Sequence, residues 1–438
     1  MRPSSASLDL TRRRFLQLCG GAAALTAAPR GLALGGSSSY RVGVGRDLDA
    51  YAATTRATVA SQDWAGLNLA GKTVVIKPNL VIPAPPTSGG VTDPESVRAL
   101  ADLALADGAT HVFITEGEGG ATHFGPCGYT PLGGYAGGKV TLLDARVSSH
   151  SLYPVPGGLT YGQLWQRDFV MDPNVVFISA AKLKTHLEGH VTLSMKNLVG
   201  LLPSLEYPAS PPYWPRFSMH HRGLHQAIVD MNIVRPVDFA VVEGIWGMEG
   251  PGPLAGNPIL AQTVLAGSNA VAVDRLALHV MGMPQHEVKH LSYASRAGLG
   301  PCGLGEIQAL GDALVPLAFS RPATTPPIEP PRAFPSSFDP GAGGETCLVS
   351  WYGESVDRSI QVVEAWDDDP TVTLVRDLAP TESRNPGFEL IRWDGRGNDG
   401  SLVAPGRYAI HVTAASVDAV GLLPPPAYAL AWVDVTHA

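Results

Sequence analysis

The chain has 438 residues, 45% hydrophobic and 16% charged, with a formal net charge of −8. That length suits two domains and that composition supplies a sizeable core, which sets disorder aside. The acidic balance argues against nucleic acid or an anionic membrane surface as the main partner.

In chain order, residues 11–28 read TRRRFLQLCGGAAALTAA, a basic cluster followed by a short Ala/Gly-rich apolar run that ends in small residues. This pattern predicts an export signal of the twin-arginine type over residues 1–36, with delivery to the periplasm or beyond. Residues 1–30 carry Arg2, Arg12, Arg13, Arg14, Arg30 and Asp9, so their removal would take the net charge to about −12. The apolar run is too short to span a bilayer comfortably and no later stretch is long enough, so no stable membrane insertion is expected. Beyond it only Cys127, Cys302 and Cys347 remain, with no CxxC pair, so no iron–sulfur cluster is expected.

Residues 37–312 read as an α/β layered domain with a largely parallel or mixed sheet. The runs at 73–78, 111–117, 175–183, 238–244 and 262–267 are β-branched and end in glycine or polar residues, as buried strands do. Helices are expected between them at 92–108, 223–234 and 269–282. The first has Thr92 and Glu95 at capping-box spacing, Pro94 in its first turn and Gly108 at its end. Residues 313–345 are rich in proline and read as a linker. Residues 346–438 show short alternating strands with Gly, Asp and Pro turns, predicting a β-sandwich.

The chemistry concentrates around the lysines. Only 7 of the 31 basic residues are lysine, yet Lys182, Lys184 and Lys196 lie within one weakly polar stretch and Lys77 ends another strand. Lysine is a compact point charge that suits a phosphate or carboxylate oxygen, or tuning by burial. On an extended strand Lys182, Lys184 and His186 would share one face. On the following helix Thr192, Lys196 and Val199 would share one side with Asn197 beside them. VVIKPNL at 74–80 places Lys77 and Asn79 at a strand end, where open α/β sheets bind ligands. Glu116 and Glu118 sit on a glycine-rich turn that would repel phosphate and suits a divalent cation or a base. Glu243 ends a strand before a second glycine-rich loop. His221 and His225 stand one helical turn apart, as a surface pair or a metal-ligand pair, and the acidic run at 367–369 is an exposed turn or a calcium site. HEVKH at 286–290 matches the zinc-protease signature, but Lys289 inside it and Pro284 before it favour a polar helix face.

Taken together, GKTVVIKPNL, GGVTDPESVRALADLALADGA, ISAAKLKTHLEGHVTLSMKNLVGLLP, VDFAVVEGIWGMEGPGPLAGNP, LAGSNAVAVDRLALHVMG and ASRAGLGPCGLGEIQALG resemble the Domain of Unknown Function 362 family over about residues 40–312. The resemblance implies an α/β domain with Lys77, Asn79, Lys182, Lys184, His186, Lys196 and Asn197 in the family signature, and supplies no reaction. Some members carry ferredoxin-like cysteine clusters; this chain has none. IRWDGRGNDGSLVAPGRYAIHVTA at 391–414 resembles the Ig-like module of flagellar hook-capping proteins, with Trp393 packed inside and Asp-Gly turns at 394–395 and 399–400.

The leading expectation is an exported enzyme acting on a small anionic substrate. Its catalytic candidates are His186, Lys184 and Lys77; Asn79, Lys182, Lys196 and Asn197 hold the substrate. Glu116, Glu118 and Glu243 are candidate ligands of a divalent metal, with Asp230 as a further ligand or base. The alternative is a non-catalytic anion-binding protein whose Ig-like domain contacts a protein or the cell surface.

Overall fold

The structure is a computed structural model describing residues 40–117, 120–207, 219–220, 223–322, 328–364, 373–417 and 426–437. The expected signal at 1–36, Glu118, His221 and the acidic run at 367–369 lie outside the described residues.

The β-branched runs form strands β1 (Tyr40–Gly45), β2 (Thr73–Pro78), β3 (His111–Glu116), β4 (Val140–Asp144), β5 (His150–Pro154), β6 (Gln163–Arg167), β7 (Val175–His186), β8 (His190–Val191), β9 (Phe239–Glu249), β10 (Asn257–Gly267) and β11 (Ile307–Gly311). All but the β5–β6 hairpin join a nine-stranded mixed sheet of order β11-β1-β10-β9-β7-β2-β3-β4, with β8 attached to β7. β2 runs parallel to β3 and β7, and β7 runs parallel to β9, so four adjacent strands end on the same edge. Successive side chains of a strand face opposite ways. Val74 and Ile76 therefore enter one core and Val75 the other, while Val176 and Ile178 oppose Phe177 in the same manner. Apolar layers on both faces explain why these strands read as continuous hydrophobic runs.

The helices named below are α1 (Ala50–Ser61), α2 (Pro94–Ala106), α3 (Leu193–Lys196), α4 (Leu224–Val234), α5 (Ala270–Met281) and α6 (Lys289–Arg296). The cap of α2 differs from the expected box. Asp93 is its N-cap and accepts from Glu95 N at 2.9 Å. Thr92 instead accepts from Asn79 N at 2.9 Å and donates to Ala180 O at 2.8 Å, tying the ends of β2 and β7 together. The zinc-protease reading of 286–290 does not survive. α6 begins only at Lys289, and Glu287 faces Arg321 at 3.2 Å, so the motif never lies on one helix.

A β-rich region follows, built from β12 (Ile328–Phe334), β13 (Ser337–Phe338), β14 (Thr346–Tyr352), β15 (Val356–Glu364), β16 (Leu374–Arg384), β17 (Gly387–Trp393), β18 (Gly406–Ser416) and β19 (Ala427–Val435). Its two sheets have orders β12-β14-β17 and β13-β19-β18-β15-β16 and share one hydrophobic cluster. Trp393 is buried there, edge-on to Phe338 and Tyr408 with ring centroids at 5.6 and 5.4 Å. Gly395 and Gly400 have φ of 71° and 80°, as the expected Asp-Gly turns require. Part of the proline-rich segment is strand, because β12 lies at a sheet edge with a bulge between Glu329 and Arg332, where prolines cost no ladder bond.

The two parts meet beside a histidine cluster. The rings of His190, His225 and His290 follow one another at centroid distances of 5.6 and 5.2 Å. His225 and His290 approach Nδ1 to Nδ1 at 2.9 Å, one donating to the other. Burial, with Lys289 and Arg321 nearby, pushes His190 down to about 4. Burial, with His190, Lys196 and Arg275, pushes His290 down to about 3. The unfolded chain, with imidazoles near 6.5, thus takes up protons first on acidification. The cluster's contribution to stability is whole above pH 6.5 and drains as the pH falls toward 4 and 3. Thermal melts from pH 8 to 4 should fall less steeply for His290→Leu than for the parent; parallel curves would refute this assignment.

Candidate functional site

The four strand ends at one edge set the site. β2 delivers Lys77 and, just beyond it, Asn79; β3 ends on Glu116; β7 ends with Lys184 and His186. The chain then turns back through β8 into α3 and a 3-10 turn, Asn197–Leu201, which bring Lys196 and Asn197 over the same edge. This return is strained, with φ of 62° at His190 and 50° at Leu193. Asp274 of α5 clamps it. Its Oδ1 accepts from Ser194 N at 2.8 Å and Ser194 Oγ at 2.5 Å, and its Oδ2 from Met195 N at 2.9 Å.

These residues form a half-open cavity of about 60 Å³, lined by Lys77, Asn79, Glu116, Lys184, His186, Thr192, Lys196 and Asn197 together with Val81, Val199, Gly200 and Pro253. That is room for a few waters or one small anion, and at most the charged end of a larger ligand. Lys77 Nζ donates to Glu116 Oε2 at 3.0 Å, Asn197 Oδ1 at 3.2 Å and Pro78 O at 2.9 Å. Glu116 also accepts from Leu80 N at 2.9 Å and Gly117 N at 2.7 Å. Burial by itself would raise Glu116, but Lys77 and these amides hold it below the usual carboxylate range.

Lys184 is fully buried and donates to Gly90 O at 2.8 Å. Burial and the neighbouring amines of Lys196 and Lys182 push it well below lysine's ordinary value. His186 is likewise pushed far down by burial and by Lys196. Its Nδ1 accepts from Glu188 N at 3.1 Å and Gly189 N at 3.2 Å, so the ring proton sits on Nε2. The pocket is thus lined by three lysines and a neutral imidazole against one carboxylate.

Most of the residues picked out in the sequence converge here, but Lys182 and Glu243 do not line the cavity. Both are fully buried and bond to each other across β7 and β9, Lys182 Nζ to Glu243 Oε2 at 2.5 Å. Lys182 therefore holds a carboxylate of the protein rather than a substrate. Glu243 also accepts from Asp93 N at 3.0 Å and Ile245 N at 2.6 Å. As metal ligands, Glu116 and Glu243 are each claimed by an ammonium group and backbone amides. Among the described residues no three His, Cys, Asp or Glu side chains gather to hold a metal. Asp230 lies elsewhere, accepting from the amides of Leu159, Thr160 and Tyr161 at 2.6–2.8 Å.

Two residues went unassigned in the sequence. Asp274 sits 80 positions from the turn it clamps, with no local signal. Gly200 closes the K-x-K-T-H…S-x-K-N-x-x-G stretch, and a Cβ there would lie 2.7 Å from Glu116 Oε1 and 2.8 Å from Lys77 Nζ. Those ends are fixed by their own bonds, so Gly200→Ala should cost about 1–3 kcal/mol by overpacking. Chemical denaturation tests this, and an unchanged midpoint would show that the pair can move aside.

Among the described residues no helix is long and apolar enough to cross a membrane. The alkylpurine DNA glycosylase AlkC of Pseudomonas fluorescens, bound to DNA containing an abasic site analog, aligns at TM-score 0.18 and 12% identity over 38% of each chain. The β-glucosidase EmGH1 of Erythrobacter marinus aligns at TM-score 0.16 and 12% identity over 84% of this chain and 47% of that one. Neither score reflects a shared fold. The thylakoid-associated protein sll1697 of Synechocystis sp. is 24% identical over 239 residues, 53% of this chain and 70% of that protein. Residues 74–279, which contain every residue lining the pocket, match the family described as domain of unknown function, DUF362.

Proposed function

We propose that the protein is an enzyme that binds a small phosphate- or carboxylate-bearing substrate at this edge of the sheet. The observation that carries the reading is a small cavity where the buried side chains of Lys77, Lys184 and Lys196 face one carboxylate that Lys77 already claims. Such a site has positive charge left over for an anion, and low dielectric strengthens that attraction.

The roles differ from a simple histidine acid/base. His186 Nε2–H is a fixed hydrogen-bond donor, because the loop amides occupy Nδ1. The base or nucleophile of the pocket is Lys184, whose amine burial and the neighbouring lysines push well below lysine's ordinary value. Asn197 and Glu116 orient Lys77. Divalent-metal assistance fits poorly, since an incoming cation would have to displace ammonium groups.

Export through the twin-arginine route, with an Ig-like fold for the β-rich region serving attachment, belongs to the same proposal and rests on the sequence patterns at 11–28 and 391–414. The deciding experiment uses the scarcity of lysine. With seven lysines the ¹³Cε signals of a lysine-labelled sample are few enough to follow individually. Lys184 should titrate far below lysine's ordinary value; a Lys184 signal that titrates near that value would remove it as the base and favour a non-catalytic binding protein.

A further inference from the structure

We propose that the anion held here carries its own hydrogen-bond donor: it is a hydroxylated oxyanion, of which monohydrogen phosphate is the simplest. This rests on the anion reading above and narrows it. The observation behind it is a buried acceptor among donors.

Asn197 is locked in one orientation. Its Oδ1 accepts from Lys77 Nζ at 3.2 Å, while its Nδ2 donates to Lys77 O at 2.9 Å and Ser179 Oγ at 3.1 Å. Asn79 must then present its own Nδ2 to Asn197 Oδ1, at 3.2 Å, and cannot be flipped. That leaves Asn79 Oδ1 buried without a hydrogen-bond partner from the protein, in a cavity-lining residue only 9% exposed. A ligand that displaces water from this acceptor without supplying a donor leaves it unmet, which lowers affinity by about tenfold or more. Thr192 Oγ1, on another wall, is also unpartnered and can turn to either role.

The chemical consequence is selectivity between near-identical anions. Sulfate and monohydrogen phosphate share shape and charge, but sulfate offers acceptors alone. Sulfate satisfies the lysines and His186 and leaves Asn79 Oδ1 facing another oxygen. Monohydrogen phosphate turns its O–H toward that acceptor. The same logic separates glycolate from acetate among carboxylates, so the O–H is the recognised feature and the tetrahedral shape is not.

The test is isothermal titration of the purified protein at pH 8 and constant ionic strength with phosphate, sulfate, glycolate and acetate. Phosphate should bind at least about tenfold tighter than sulfate, and glycolate tighter than acetate, as one recovered hydrogen bond allows. In Asn79→Leu the phosphate-to-sulfate ratio should fall toward one. Should that variant not fold, the parent ratios decide alone. Equal affinities for phosphate and sulfate would overturn the donor requirement while leaving an anion site standing. Binding of none of the four would overturn the anion reading itself.

Discussion

Glu243→Gln is expected to destabilise the protein by about 3–5 kcal/mol, the cost of leaving a buried ammonium without its counter-charge. Lys182 and Glu243 are both wholly removed from solvent, so water cannot replace the lost partner. The double replacement Lys182→Met with Glu243→Gln should recover most of that loss, because it removes both charges and keeps an acceptor for the amides of Asp93 and Ile245. Denaturant midpoints would show it. A single-variant loss below about 1 kcal/mol would mean the pair is not isolated as described. The double variant has a second use, since it should keep its anion affinity if Lys182 serves the fold rather than the ligand.

Lys196→Met should do the reverse, with a small change in stability and a large change in binding. Lys196 lines the cavity on the strained return and its charge bears directly on Lys184. Removing one charge-assisted contact to an anion costs about 1.5–3 kcal/mol, or roughly 10- to 100-fold in affinity. It should also let Lys184 rise toward lysine's ordinary value, because one of the amines holding it down is gone. Titration calorimetry reads the first effect and the labelled ¹³Cε signal of Lys184 the second. Unchanged affinity would place the anion elsewhere.

Strands and site were legible in the sequence to different depths. β2 appears at its expected residues, because burial on both faces writes a clear pattern. The lysine-rich stretch was legible as a site because lysine is rare in this chain. The separate fates of Lys182 and Lys184 were not. Period-two reasoning puts them on one face, but the pairing of β7 with β9 shifts register between them. Lys182 meets Glu243, 61 residues on, while Lys184 and His186 reach the cavity. The exchange of roles between Thr92 and Asp93 was equally hidden, because both are good capping residues and only the neighbouring strand ends decide between them.

The most direct test of the central claim is phosphate titration into the lysine-labelled protein. Signals of Lys77, Lys184 and Lys196 should shift together along one saturating curve, while those of Lys72, Lys139 and Lys289 stay in place. Linear drift of the lysines outside the pocket, with the three pocket signals unmoved, would contradict an anion site at this edge of the sheet.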